Sequence, residues 1–203
     1  TFRPWIAALL NFSPDHLDRH PDEAAYAAAK ARIFANQQAQ DWAVVNSDSA
    51  PAVRMSQQTR ARVVRYGLDH PEQADVFADR GWVWHRTSEG EVPLLPLAAV
   101  HLSGRHMLSN VVAATAISHL AGATETSLAR ALAGFTGLEH VMEPVARRGG
   151  VRFVNDSKAT NVGSMQVALD SFDGPVVLIA GGRDKGQDFA PLAEQVRRRT
   201  RHV

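Results

Sequence analysis

Short apolar runs that stop abruptly on polar, glycine- or hydroxyl-rich loops are the feature that most limits how this chain can fold. Residues 151–154 have the texture of a strand, 162–169 of a helix, 176–180 of a strongly apolar strand and 189–196 of a helix. Strands alternating with helices predict an α/β fold whose strands run parallel through crossover connections. Upstream, residues 5–11 form another short apolar run that ends on polar residues. An alanine-rich helix follows over 24–34, with Tyr26, Lys30 and Phe34 at four-residue steps and Asp22 or a neighbour as its cap. Residues 42–45 are the next strand, broken by Asn46-Ser-Asp-Ser49. Residues 63–66, 82–85 and 92–95 suggest short strands in a meander, punctuated by Gly67, Gly81 and Gly90. Helices are expected over 108–120 and 127–132, stopped by Gly122 and Gly134. The texture changes after Gly137, which sets a domain boundary between 1–137 and 138–203.

Composition excludes several classes of function. With 45% hydrophobic and 21% charged residues the chain is globular in character, and its formal net charge of +1 gives no polybasic field for nucleic acid or an anionic membrane. Arg197, Arg198, Arg199 and Arg201 are grouped near the end, as expected of a solvated helix terminus. Cysteine is absent, which removes disulfide and zinc-thiolate scaffolds and is compatible with the cytosol. No apolar run approaches the roughly 20 residues of a membrane span. The chain opens almost at once on a strand and closes just after a helix, so both ends are expected to lie inside a longer protein.

Four constellations are suited to chemistry. Asn11-Phe-Ser-Pro-Asp-His-Leu-Asp-Arg-His20 follows a strand, where open parallel sheets gather functional side chains. Asp15, His16 and Asp18 suit a cation there, and a plain loop with Asp15 capping a turn fits the same residues. Lys30 is the second. Of 22 lysines and arginines only Lys30, Lys158 and Lys185 are lysines, so surface charge is otherwise supplied by arginine. A retained lysine then points to a need for a primary amine or a compact cation, against the alternative of chance survival. Third is Asn155-Asp-Ser-Lys-Ala-Thr-Asn161, between a strand and a helix N-terminus that attracts anions. Ser157, Lys158 and Thr160 add two hydroxyls and a cation there, more than capping by Thr160 or Asn161 requires. The last is Gly181-Gly-Arg-Asp-Lys-Gly186, a glycine-rich loop without the G-x-x-x-x-G-K-[ST] pattern, which occurs nowhere in the chain.

Taken together, Asp15-His16-Leu-Asp18, Tyr26-Ala-Ala-Ala-Lys30, Asn155-Asp-Ser-Lys-Ala-Thr-Asn161 and Gly181-Gly-Arg-Asp-Lys185 resemble the Mur ligase superfamily, in its D-glutamate-adding branch, over the whole chain. The resemblance implies an α/β chain with the later part of a central ATPase domain over 1–137, lacking the phosphate loop. The first part of a Rossmann-like C-terminal domain would follow over 138–203. It also implies ATP-driven joining of D-glutamate to UDP-N-acetylmuramoyl-L-alanine through an acyl phosphate, in peptidoglycan precursor synthesis. The enzyme would be a cytoplasmic monomer that uses ATP and Mg2+ and engages neither nucleic acid nor membrane. By the same resemblance Lys30, as a carbamate, and His16 hold the magnesium ion and belong with Lys158 to the catalytic set. Asn110 and Asp156 contact the nucleotide, and Ser157, Lys158, Thr160 and Lys185 hold D-glutamate. Two positions depart from the family pattern: Met107 stands where a second amide is usual, and Val141 stands where an arginine is common. The rival readings are another ATP-dependent ligase of the Mur or folylpolyglutamate type, or a binding module that keeps the fold without catalysis. An isolated polypeptide of this sequence is expected to be inactive, because it has no triphosphate cradle.

Overall fold

The computed structural model describes residues 2–13, 19–102, 104–182 and 188–202. They form two compact units, Thr1–His101 with Met107–Phe135, and Leu102–His106 with Thr136–Val203.

The first unit is built on a six-stranded sheet in sequential order: β1 (Ile6–Leu9), β2 (Trp42–Asn46), β3 (Arg62–Gly67), β4 (Val76–Asp79), β5 (Trp82–Thr87) and β6 (Gly90–Pro96). The first four strands pair in parallel and the last two antiparallel. In β2, Ala43, Val44 and Val45 are all essentially inaccessible, as expected where both faces of a parallel sheet are covered. Ala7, Leu9, Ala43 and Val45 pack with Phe34 and Ala52 into one apolar cluster. The helices are α1 (Glu23–Ala31), α2 (Ala50–Ser56), α3 (Arg105–Leu120) and α4 (Glu125–Ala133), and α3 buries Met107, Val111, Val112, Ala113 and Ala116.

Three anchors fix the parallel strands. Near the start of β1, Arg3 makes a bidentate pair with Asp41 at 2.8 and 2.9 Å, which holds the Asp41 carboxyl below its usual range. Gln37 Nε2 donates to Pro4 O and Trp42 O, joining β1 to β2. At the opposite ends of β2 and β3, Ser47 Oγ donates to Tyr66 O at 2.9 Å. The Asp48 carboxylate there accepts from the amides of Leu68 and Asp69 at 2.6 and 3.2 Å. A Cβ on Gly67 would collide with Ser47 Oγ and sit 2.8 Å from Asp48 Oδ1, so a larger residue would have to displace the side chains that hold these strand ends.

The structure departs from the expected meander. Residues 63–66 belong to β3 and pair in parallel, and the unanticipated strand β4 follows them. The antiparallel portion begins only at β4–β5, where Arg80 and Gly81 take φ values of +46° and +77° and form a hairpin turn. Helix α2 was also unanticipated, although Ser49 accepts from Ala52 N and Pro51 occupies its first turn.

The second unit corrects the expectation of a parallel sheet beginning with 151–154. Strands β7 (Glu143–Arg148) and β8 (Val151–Asn155) form an antiparallel hairpin across Gly149 and Gly150, whose φ values of +57° and +79° are what such a turn requires. Helix α5 (Val162–Asp170) lies where expected, and the apolar strand shortens to β9 (Val176–Val177). That strand pairs in parallel with β10 (Thr200–His202). Between them a 3-10 turn at Ala190–Leu192 precedes α6 (Ala193–Arg199). The basic cluster ends α6, where cations complement the helix dipole, and Arg199 also lies 3.6 Å from Asp170 and donates to Phe172 O.

A half-buried histidine pair in the first unit makes its stability depend on pH. His85 Nδ1 lies 3.2 Å from His119 Nε2 with the rings edge to face. Burial and then His119 push the His85 pKa below its ordinary 6.5, against a smaller pull from Asp75. The fold therefore favours neutral His85. That stability is fully present above the unfolded pKa and declines as pH falls below 6.5, where the unfolded chain binds the extra proton. Thermal melts should show Tm falling between about pH 7.5 and 5.5, with a shallower slope for His85→Gln. An unchanged slope in that variant would assign the pH dependence to other groups.

Candidate functional site

In the first unit the helix bearing Lys30 is set by its cap: Asp22 Oδ1 accepts from Ala25 N at 2.7 Å. Lys30 lies in the last turn of α1 with its side chain exposed, and Nζ is 5.3 Å from the centroid of the Tyr26 ring. Tyr26 is buried, with ring centroids of Phe12 and His20 at 5.2 and 5.1 Å. Phe12 and His20 flank the segment that carries Asp15, His16 and Asp18, so both flanks are pinned to the helix face one turn before Lys30. His16 itself lies outside the described residues, as does Lys185. The sequence reading used Tyr26 only as a helical step. The signal that marks it is an aromatic on a small-residue helix, available to the rings on either side of the polar loop. Beside this face, α1 and α2 border an open groove of about 540 Å³ walled by Phe12, Ala24, Ala27, Ala28, Ala31 and Met55.

Tyr66, at the end of β3, is a second buried connection missed in the sequence. Its hydroxyl donates to Leu10 O at 3.3 Å and shares a hydrogen bond with Ser109 on α3. Burial pushes the phenol up to about 12, so it remains protonated and able to donate. It thereby ties the exit of β1 to the turn of α3 that carries Asn110, which is exposed. Met107 is buried on α3 and contributes packing where an amide would be polar.

In the second unit, His106 is held by Ser171. The Ser171 hydroxyl donates to Val167 O at 2.8 Å, so its 3.1 Å contact with His106 Nδ1 requires the proton on that nitrogen. Burial keeps His106 below its ordinary pKa, which favours the neutral ring. Gly104, at φ +98°, allows this approach, since a Cβ there would lie 3.0 Å from both His106 Cε1 and Ser171 Oγ.

Asp156, Ser157, Lys158 and Thr160 lie together on the loop between β8 and α5. Ser157, Lys158 and Thr160 are exposed, while Asp156 is half-buried and its Oδ1 accepts from Met142 N at 3.0 Å. Asn161 caps α5 through Ser164 N at 2.8 Å. The hydroxyls and the ammonium of Ser157, Lys158 and Thr160 are thus presented just ahead of a helix N-terminus, a setting for a carboxylate or phosphate. Among the described residues no cluster of three or more His, Asp or Glu side chains is arranged to hold a metal ion. No described helix is long and apolar enough to cross a membrane.

Residues 1–118 match the Mur ligase middle domain. Over its full length the chain is 43% identical to the UDP-N-acetylmuramoylalanine--D-glutamate ligase of Trichlorobacter lovleyi, covering 45% of that protein. It is 44% identical over 195 residues to the ligase of the same name from Methylococcus capsulatus, covering 41% of it. The chain therefore spans less than half the length of these relatives. Among solved structures it is similar to MurF from Acinetobacter baumannii, with a TM-score of 0.65 and 21% identity over 83% of this chain and 37% of that one. It is also similar to a mutant of L. casei FPGS, with a TM-score of 0.64 and 19% identity over 98% of this chain and 49% of that one. At such identities the two structures establish shared fold.

The cap of α5 is open to direct test. Asn161→Ala removes the side-chain acceptor for Ser164 N and should cost about 1 kcal/mol of stability, with Asn161→Ser retaining most of it. Urea denaturation measures both, and equal losses in the two variants would show that capping is not what Asn161 contributes.

Proposed function

The chain belongs to the Mur ligase family, and on that premise we propose that it is part of a longer ligase that uses ATP to join D-glutamate to UDP-N-acetylmuramoyl-L-alanine. The reading is carried by one observation: the whole chain aligns, at 43% identity, with a relative named for that activity. In this reading residues 1–137 are the later part of the central ATPase domain and 138–203 the first part of the C-terminal domain. The complete ligase would work in the cytoplasm as a monomer, supplying a peptidoglycan precursor.

The reaction has two steps. A carboxylate oxygen of the L-alanyl group attacks the γ-phosphorus of ATP, forming an acyl phosphate and releasing ADP. The amine of D-glutamate then attacks the acyl carbon, forming the amide and releasing phosphate. Both steps crowd anions together, so fixed cations and hydrogen-bond donors must face them. We assign Lys158, Thr160, Ser157 and Lys185 to the D-glutamate carboxylates, with Lys158 also facing the acyl phosphate. Asn110 and Asp156 are assigned to the nucleotide.

A magnesium ion would neutralise phosphate charge when bound. Lys30 fits a role in holding it after reaction with carbon dioxide: its amine is exposed at the end of a helix whose neighbouring residues are alanines. As an ammonium it rests over Tyr26 and would repel the ion, whereas its carbamate is an anionic oxygen donor of the kind a hard cation takes. His16 is the second assigned ligand, in the supporting role that nitrogen has toward magnesium.

Two experiments test this assignment. A phosphate-release assay on a polypeptide of these 203 residues alone, with all substrates present, should stay at background, because no triphosphate cradle occurs in its sequence. Turnover surviving repurification would contradict that. In the complete ligase, Lys30→Ala should lower kcat by about a hundredfold or more, the scale of losing an electrostatic group at the reacting phosphate. Acetate should restore activity and methylamine should not, and Lys30→Arg should respond to neither because guanidinium fills the space and stays protonated. Rescue by methylamine alone would replace the carbamate with an ammonium contact, and little effect of either substitution would remove Lys30 from the site.

A further inference from the structure

The loop that presents Lys158 is exposed, so packing cannot fix its conformation; a strained turn beside it can. Between Leu138 and Glu143 the chain reverses, with Val141 N donating to Leu138 O. His140 and Met142 both take left-handed φ values, +66° and +45°. Neither residue has the freedom of glycine, and such conformations persist only where neighbouring contacts over-determine them. Here those contacts run to the loop: Lys158 N donates to His140 O at 3.1 Å, and Met142 N donates to Asp156 Oδ1 at 3.0 Å.

Asn155 joins the two segments. Its Oδ1 accepts from Ser157 N at 3.1 Å, which turns Nδ2 toward the strained turn. Nδ2 then lies 2.8 Å from His140 Nδ1 and 3.3 Å from Glu143 Oε2, one partner for each of its hydrogens. Glu143 Oε2 also accepts from His140 N at 2.8 Å, and Glu143 pairs with Asn155 at the last rung of the β7–β8 ladder. The carboxamide thus sits where the ladder stops and the lysine loop begins. Aspartate has the same shape but no donor, and would set a second carboxylate against that of Glu143.

We propose that Asn155 is a positioning residue: its carboxamide, held by His140, Glu143 and Ser157, sets the loop conformation in which Lys158 and Thr160 meet the carboxylates of D-glutamate. The substrate named here rests on the function proposed above; the clamp itself does not.

Asn155→Asp separates the two. In the 203-residue chain, hydrogen exchange at the Lys158 and Met142 amides should quicken by about tenfold or more, while amides of α5 and the hairpin keep their protection. In the complete ligase the same change should raise KM for D-glutamate by about tenfold or more, the scale of a displaced binding group, with KM for ATP nearly unchanged. The double variant N155D/E143Q replaces the facing carboxylate by an amide that can donate, and should bring both readouts back to within about threefold of wild type. Unaltered exchange at Lys158 and Met142 would overturn the clamp. Exchange that quickens throughout the second unit in both variants, with kcat alone reduced, would overturn it in favour of a general folding role. If the clamp loosens and KM for D-glutamate holds, Lys158→Ala decides between the remaining cases. A raised KM in Lys158→Ala overturns positioning and leaves the substrate assignment standing, and an unchanged KM overturns both.

Discussion

At the carboxyl ends of β2 and β3 the side chains of Ser47 and Asp48 close over position 67, where a Cβ would collide with them. The Ser47 hydroxyl and Asp48 carboxylate fill the space a side chain would take and satisfy the amides of Leu68 and Asp69 and the Tyr66 carbonyl. Exposed strand ends must find such partners or leave polar groups uncompensated. Because this edge is closed, the Tyr66 ring is held in place and its hydroxyl can reach both Leu10 and Ser109. The exit of β1 and the helix bearing Asn110 are therefore referred to one rigid strand.

The two units hold the residues assigned to the proposed site by different physics. In the first, burial does it: Tyr26 is enclosed by Phe12 and His20, and Lys30 stands one turn further along the same helix. In the second, Ser157, Lys158 and Thr160 are exposed, and directional hydrogen bonds from His140, Met142 and Asn155 do the same task. Contacts of the first kind tolerate small changes of shape. Contacts of the second kind depend on donor and acceptor identity, so an isosteric substitution that exchanges them is more disruptive than its size suggests.

Much of the architecture was legible from local pattern. The apolar run in β2, the alanine-rich α1 with its Asp22 cap and the Asn161 cap of α5 all follow from propensity and side-chain chemistry acting over a few residues. The misreadings share a cause. Strand β4 is four residues long and half of β7 is charged, so neither shows the periodicity of a half-buried element. The stretch 176–180 is apolar enough for a longer strand, yet pairing with β10 ends at Val177 and Ile179 is almost wholly exposed. Pairing partners, which lie far away in sequence, decide such cases.

The sequence by itself determined an α/β chain, the polar loops that follow its strands and the three lysines in a surface otherwise made basic by arginine, because these are properties of short segments and of composition. Its motifs also carried the family resemblance that residues 1–118 bear out. Only the tertiary structure decided that β3 pairs in parallel and that β8 closes a hairpin. It alone showed Tyr66 spanning from β3 to the exit of β1 and the Asn155 carboxamide facing Glu143. The last two contacts join residues 56 and 12 positions apart. No local propensity encodes a contact of that range, and the closing of the loop between its partners selects it.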